Sequence, residues 1–194
     1  MENRTVVVEF TNHARFVLHF SGSTFVKVNH PKLWNLAKRI ALVTQMRTDS
    51  STSASPIQVT NYGLAGLCEP HIDPVGLMEV KELGPGSTHL PFTGDIMGTF
   101  MAWLSDTKAG GGTAFLSPGF ENIVMPEKGA ALFWYDLMSD GTRDFSTAHG
   151  GCPILSGSKW ILNKWMHAYD NFLRWPCNLK PQSRFQPPSY KSYF

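Results

Sequence analysis

The feature that most constrains this chain is its punctuation. From Ile57 onward, short β-branched and aromatic runs follow one another at roughly ten-residue spacing, most of them closed by glycine or proline. They read IQVTNYG, LCEPHID, TFMAWLSD, TAFLSPG, NIVMPEKG, AALFWYDLM and KWILNKWMHA. This pattern predicts an antiparallel sandwich or barrel in preference to alternating β-α units. The N-terminal runs TVVVEF, RFVLHF and TFVKV predict further strands, with Ser21-Gly22-Ser23 as the turn between the last two.

One helix interrupts the β pattern. Asn29-His30-Pro31 opens it, with Asn29 as the cap and Pro31 in the first turn, where its missing N–H costs nothing. Leu33, Leu36, Ala37, Ile40, Val43 and Met46 recur at three- and four-residue steps and predict a face packed on a sheet. Asp49 to Pro56, DSSTSASP, reads as a solvated linker or a turn between helix and barrel. The boundaries that follow are residues 1–56 for the N-terminal strands and helix, 57–177 for the core and 178–194 for a loosely packed tail. The aperiodic stretch from Pro74 to Gly94 exceeds ordinary loop lengths and predicts a lid or binding loop.

Composition narrows the class further. With 42% hydrophobic and 16% charged residues the chain is globular, and a net charge of +2 without a basic cluster argues against a nucleic-acid partner. No run reaches the ~20 apolar residues of a membrane span, so no membrane partner is expected. The N-terminus does not read as a signal peptide; either the protein is made without one, or the chain begins inside a longer precursor.

The sharpest chemical signal is His71-Ile72-Asp73. On a strand, alternation places His71 and Asp73 on one face with Ile72 behind them. Completed by a distant histidine, such a pair makes the two-His-one-carboxylate triad, which holds one face of an octahedral Fe(II) and leaves positions open. Taken alone, H-x-D is also a chance product of seven histidines on a surface strand. His149, in STAHGGCP, is the candidate third ligand on a late strand. Lys159 starts an apolar strand ten residues later, where an inward ammonium is costly unless it meets an anion. It fits the distal carboxylate of 2-oxoglutarate, with Tyr62 and Thr113 completing the pocket; a charge snorkelling from an edge strand is the other reading.

Four stretches, in order, carry a resemblance: NYGLAGLCEPHID, WLSDTKAGGGTAF, MPEKGAALFWYDLMSDG and HGGCPILSGSKWILNKWMH. Together they resemble the catalytic domain of the collagen-type prolyl 4-hydroxylase α subunit, from about Val28 to Cys177. The resemblance implies a mainly β, double-stranded β-helix (jelly-roll) with a supporting N-terminal helix. It also implies iron on His71, Asp73 and His149, 2-oxoglutarate on Lys159, Tyr62 and Thr113, and L-ascorbate as a further cofactor. The implied reaction is hydroxylation of peptidyl proline at C4, releasing succinate and CO2. The implied partners are a proline-bearing polypeptide and, for a longer α subunit, protein disulfide isomerase in the lumen of the endoplasmic reticulum.

The same resemblance implies a Cys152–Cys177 disulfide and peptide contacts at Trp165 and His167. Two peptide-contact positions depart from the family: Cys68 stands where relatives have tyrosine, and Ile96 where they have arginine. A thiol loses ring area and Ile96 loses up to five donors. These departures leave open the same chemistry on another polypeptide, or a non-catalytic binding or scaffold relative.

Overall fold

The computed structural model describes residues 2–3, 21–27, 30–74, 93–117, 120–175, 177–178 and 180–185. The expected strands TVVVEF and RFVLHF and most of the stretch from Pro74 to Gly94 lie outside these residues. The elements, in chain order, are β1 (Glu2–Asn3), β2 (Ser21–Val26), α1 (Pro31–Thr44), β3 (Ile57–Tyr62), β4 (Cys68–His71), β5 (Ile96–Trp103) and β6 (Ala109–Gly110). They continue as β7 (Thr113–Ser117), β8 (Phe120–Val124), β9 (Ala131–Tyr135), β10 (His149–Gly151), β11 (Ile154–Ser156), β12 (Lys159–His167) and α2 (Ala168–Asn171).

The strands form a six-stranded sheet in the order β1-β2-β3-β12-β5-β9, a four-stranded sheet in the order β4-β10-β7-β8, and a small pair β11-β6. Every pairing is antiparallel, so the architecture is mainly β with one N-terminal helix. No helix among the described residues is long and apolar enough to cross a membrane.

Strand β12 lies at the centre of the larger sheet and divides the molecule. Lys159, Ile161, Asn163 and Trp165 face a cavity between the sheets. On its other face, Met166 packs with Ile40 of α1, Met46, Ala54, Met97, Leu137 and Trp175 in a buried cluster. A second cluster of Met101, Trp103, Trp134 and Ile161 fills the space next to the cavity. Each of these large side chains contributes about 1.5–3 kcal/mol by leaving water. Lys164 is a buried cation on this strand as well: its ammonium donates to the Ser55 carbonyl, and burial pulls its pKa down to about 8.

Several local expectations need correction. Ser21-Gly22-Ser23 is not a turn but the start of β2, paired with Tyr62, Asn61 and Thr60; antiparallel partners outweigh a turn-like composition. The helix cap is His30, whose Nδ1 accepts from the Lys32 N–H at 3.2 Å. Ala37 and Ile40 are buried as expected, but Val43 is 64% exposed because the helix stops one residue later and Gln45 turns left-handed. The segment Asp49 to Pro56 is no solvated linker: Ser53 and Ala54 are buried, and Ala54 bridges to Met166. The described part of the tail packs as far as Phe185, whose ring lies 5.5 Å from Tyr135 and 5.9 Å from Trp175.

The glycine run before β7 is a steric requirement. Gly110 has φ +76°, and a Cβ there would sit 2.3 Å from the Pro153 carbonyl oxygen. Gly129 has φ +90° but open space around it. Gly110→Ala is expected to cost about 2–4 kcal/mol, from left-handed strain and overlap together, whereas Gly129→Ala costs about 1 kcal/mol from strain alone. Urea unfolding of both variants checks this, and equal costs would contradict the packing argument.

Candidate active site

The site begins with strand register. In the smaller sheet β10 lies between β4 and β7, so His149 faces His71 on one side and Phe115 on the other. Two residues along, past a register irregularity, Gly151 faces Cys68 and Thr113. The imidazoles of His71 and His149 therefore meet, with ring centroids 4.4 Å apart. Strand β4 ends at His71, so Asp73 does not owe its position to strand alternation as expected; it lies in the bend that follows. The turn of the chain achieves the same end. Asp73 Oδ1 is 3.6 Å from His71 Nε2, and Oδ2 is 3.9 Å from His149 Nε2.

One ligand atom from each of the three residues lies within 4.8 Å of the others. Neighbouring ligands at ~2.1 Å from an octahedral ion are about 3 Å apart, so a small inward movement suffices. The second nitrogens support the same use. His71 Nδ1 lies 2.8 Å from the Glu69 carbonyl and His149 Nδ1 lies 2.9 Å from the Thr147 carbonyl. Each Nδ1 donates its hydrogen to that oxygen, which turns Nε2 of both rings toward Asp73, the atom a metal-binding histidine uses once any proton on it is displaced.

Electrostatics distinguish the three groups. The Asp73 carboxylate facing it, then the contact with Cys68, pushes His71 up to about 11. Burial pushes His149 below its ordinary value. Burial works against the Asp73 carboxylate, yet His71, His149 and Thr99 outweigh it and hold Asp73 below the usual range. A carboxylate beside one imidazole that holds a proton and one that burial keeps neutral makes a place where a divalent ion replaces that proton.

The same cavity, about 270 Å³, contains the other expected group. Lys159 and Tyr62 are direct cross-strand partners on β12 and β3. Lys159 is only 3% exposed; its Nζ lies 3.4 Å from Thr113 Oγ1 and 5.7 Å from the centre of the Tyr62 ring. Burial lowers its pKa to about 8 and raises the Tyr62 phenol well above its usual range. A buried ammonium with a hydroxyl beside it and no carboxylate contact among the described residues is a built anion pocket.

Of the four peptide-contact candidates, Cys68 and Trp165 line the cavity. Ile96 and His167 pair with each other across β5 and β12 and are not part of the lining. Cys68, Cys152 and Cys177 are all unbonded, so the Cys152–Cys177 bridge is not formed in this structure. Trp134 stands 4.8 Å from the His149 ring and helps exclude water, whereas Trp160 is 40% exposed and does not. Thr99 was not foreseen: its hydroxyl lies 2.8 Å from Asp73 Oδ2 and 2.7 Å from Asp136 Oδ2. No local motif marks it, because the contact joins positions on three different strands and loops.

Two antiparallel sheets holding a His-Asp-His cluster, with one buried cation in the same cavity, describe a protein built to bind a metal ion beside a small anion. The profile of the 2OG-Fe(II) oxygenase superfamily matches residues 57–167, more than half of the chain, and the chain belongs to that superfamily. Prolyl 4-hydroxylase subunit alpha-3 of Homo sapiens is 37% identical over 182 residues, covering 92% of this chain and 31% of the relative. Subunit alpha-1 of the same organism is 42% identical over 131 residues, covering 66% of this chain and 23% of the relative. The chain thus spans less than a third of the length of either relative. The viral collagen prolyl hydroxylase of Paramecium Bursaria Chlorella virus-1, in a 2OG complex, shares the fold with TM-score 0.60 at 20% identity. That likeness covers 77% of this chain and 79% of the viral one.

Removing a ligand should be decisive. His71→Ala, Asp73→Ala and His149→Ala are each expected to weaken divalent metal binding by about 100-fold or more, beyond the loss typical for an outer residue. Equilibrium dialysis against Fe(II) without oxygen measures it, and a variant that binds like wild type would remove that residue from the set.

Proposed function

We propose that this chain is an Fe(II)- and 2-oxoglutarate-dependent dioxygenase that hydroxylates peptidyl proline at C4, releasing succinate and CO2. The observation that carries this reading is the pairing of a His71-Asp73-His149 cluster with the buried ammonium of Lys159 in a single cavity. We read the two sheets as the double-stranded β-helix of the superfamily, with the core in residues 57–177, β2 and α1 added from residues 1–56, and a tail in 178–194.

Bound Fe(II) and 2-oxoglutarate would supply oxygen activation, oxidative decarboxylation and the hydroxylating chemistry. The chain's own residues bind and orient. His71, Asp73 and His149 hold the ion, each histidine kept in its tautomer by a carbonyl. Lys159 and Thr113 receive the distal carboxylate, with Tyr62 packed beside the ammonium. Trp134 and Phe115 pack against the His149 ring and keep that side dry. Trp165 lines the cavity, and its indole N–H has no hydrogen-bond partner among the described residues, which makes it a donor for a peptide carbonyl. By family resemblance we add L-ascorbate, a location in the endoplasmic reticulum lumen, and protein disulfide isomerase as partner of a longer subunit.

The direct test is succinate formation from 2-oxoglutarate with Fe(II), with and without a (Pro-Pro-Gly) repeat peptide. Stimulation by the peptide supports the reading. Succinate without stimulation points to another polypeptide, and no succinate at all points to a non-catalytic relative.

Lys159 gives a pH signature. An amine held at about 8 is charged below that pH and neutral above it, and only the charged form anchors a carboxylate. The KM for 2-oxoglutarate is therefore expected to stay flat below pH 8 and to rise up to about tenfold per unit above it. Lys159→Ala should show a high KM without this rise, while keeping most of its metal affinity. A wild-type KM that is flat through pH 9 would contradict the role.

Cys68 gives a specificity signature. Cys68→Tyr in the cavity wall, combined with Ile96→Arg, whose longer side chain has to reach the peptide from outside the lining, should raise kcat/KM for the proline-repeat peptide by roughly tenfold, the size of one good interface contact. The 2-oxoglutarate KM should stay within about twofold. If wild type already uses the peptide efficiently, or the double variant gains nothing, the proposed divergence at these positions is wrong.

A further inference from the structure

Asp136 is a buried acid that the proposed reaction does not use. It follows β9, is 0% exposed, and forms no ion pair among the described residues. Its Oδ2 lies 2.7 Å from Thr99 Oγ1, and its Oδ1 makes no hydrogen bond. The same Thr99 Oγ1 lies 2.8 Å from Asp73 Oδ2.

One hydroxyl thus touches two carboxyl groups, and it has a single proton to donate. An ionised carboxylate only accepts, so one of the two acids must bring a proton of its own. Asp73 faces His71 and His149, at 3.6 and 3.9 Å, and both favour its ionised form. No cation lies beside Asp136 among the described residues, and the one other donor near it, the Trp134 indole N–H, makes no hydrogen bond at the geometry of this structure. We propose that Asp136 is a positioning residue: as a neutral acid it donates to Thr99, which commits the Thr99 proton to Asp73. The chain Asp136–Thr99–Asp73 then fixes the carboxylate so that its oxygens point at the two Nε2 atoms. Burial, and after it the negative charge of Asp73, pushes Asp136 well above the usual carboxylate range, in agreement with this direction of donation. The contact also links the two sheets, since Thr99 belongs to β5 and Asp73 follows β4.

This inference rests on the reading of Asp73 as a metal ligand, so the test includes a control for that reading. Mn(II) is titrated into the apo chain, with free Mn(II) followed by its electron paramagnetic resonance signal. Asp136→Asn replaces the O–H donor with an N–H donor and is expected to hold the Kd within about threefold of wild type. Asp136→Leu has similar size and no donor, and is expected to weaken Mn(II) binding by about 10- to 100-fold. Thr99→Ser and Thr99→Val probe the same contact from the other end, independently of how Asp136→Leu folds. Serine should keep the affinity, and valine should lose it by the same factor. The proposal is overturned if Asp136→Asn binds as weakly as Asp136→Leu, which would require a charged carboxylate, or if Thr99→Val binds like wild type. Asp73→Ala separates the two levels. Normal Mn(II) binding in that variant would overturn the metal reading itself. Lost binding there, with normal binding in the Thr99→Val variant, overturns only the role of Asp136.

Discussion

The site exists because β10 lies on β4 with His149 opposite His71, ahead of a register irregularity that brings Gly151 to Cys68. His149 opposite His71 is a cross-strand pair, and side chains alternate faces along a strand, so a one-residue slip would turn His149 away from its partner. The surroundings of β10 resist such a slip. Its other edge is fixed on β7 through three successive pairs, His149 to Phe115, Gly150 to Ala114 and Gly151 to Thr113. A Cβ on Gly150 would meet the Cys68 carbonyl oxygen at 3.1 Å, so the close approach of β10 to β4 also depends on glycine. Residues nearly eighty positions apart in sequence become neighbours through backbone hydrogen bonds, before any metal is considered.

The larger sheet contributes what the smaller one lacks. Lys159 and Thr99 both come from its centre and reach across the cavity, one to Thr113 and the other to Asp73. Polar groups in such a place are costly unless paired, so these contacts hold the sheets at a defined separation and shape the cavity between them. The hydrophobic clusters stand on either side: Met101, Trp103, Trp134 and Ile161 next to the cavity, and Ile40, Met46 and Met166 beneath α1. Apolar packing provides the stability, while the polar contacts between sheets set where the chemistry can occur.

Much of this was legible in the sequence, for physical reasons. Strands alternate and end at glycine or proline, so the succession of β segments after Ile57 could be read directly; His71 and Asp73 stood out as an H-x-D pair, Lys159 as a charge opening an apolar strand, and His149 as a late histidine that the family resemblance picks out. Other features were set by neighbours that the sequence does not identify. Ser21-Gly22-Ser23 has the composition of a turn, but its pairing with β3 makes it strand. Asp73 reaches His71 through a bend, not through alternation. Ile96 and His167 pair with each other across β5 and β12 next to a register irregularity after Met166, a neighbour relation that no local motif reveals. The Thr99 contacts depend on β5 lying beside β12 and β9, which is an outcome of sheet order.

The central claim is that one cavity holds a metal ion on His71, Asp73 and His149 and the far end of 2-oxoglutarate on Lys159. A crystal structure of the chain with Mn(II) and 2-oxoglutarate, grown without oxygen, tests it most directly. The account predicts the ion bonded to both Nε2 atoms and an Asp73 oxygen, the keto acid end on the ion, and the distal carboxylate against Lys159 Nζ and Thr113 Oγ1. An ion bound elsewhere, or a co-substrate whose distal carboxylate lies away from Lys159, would contradict it.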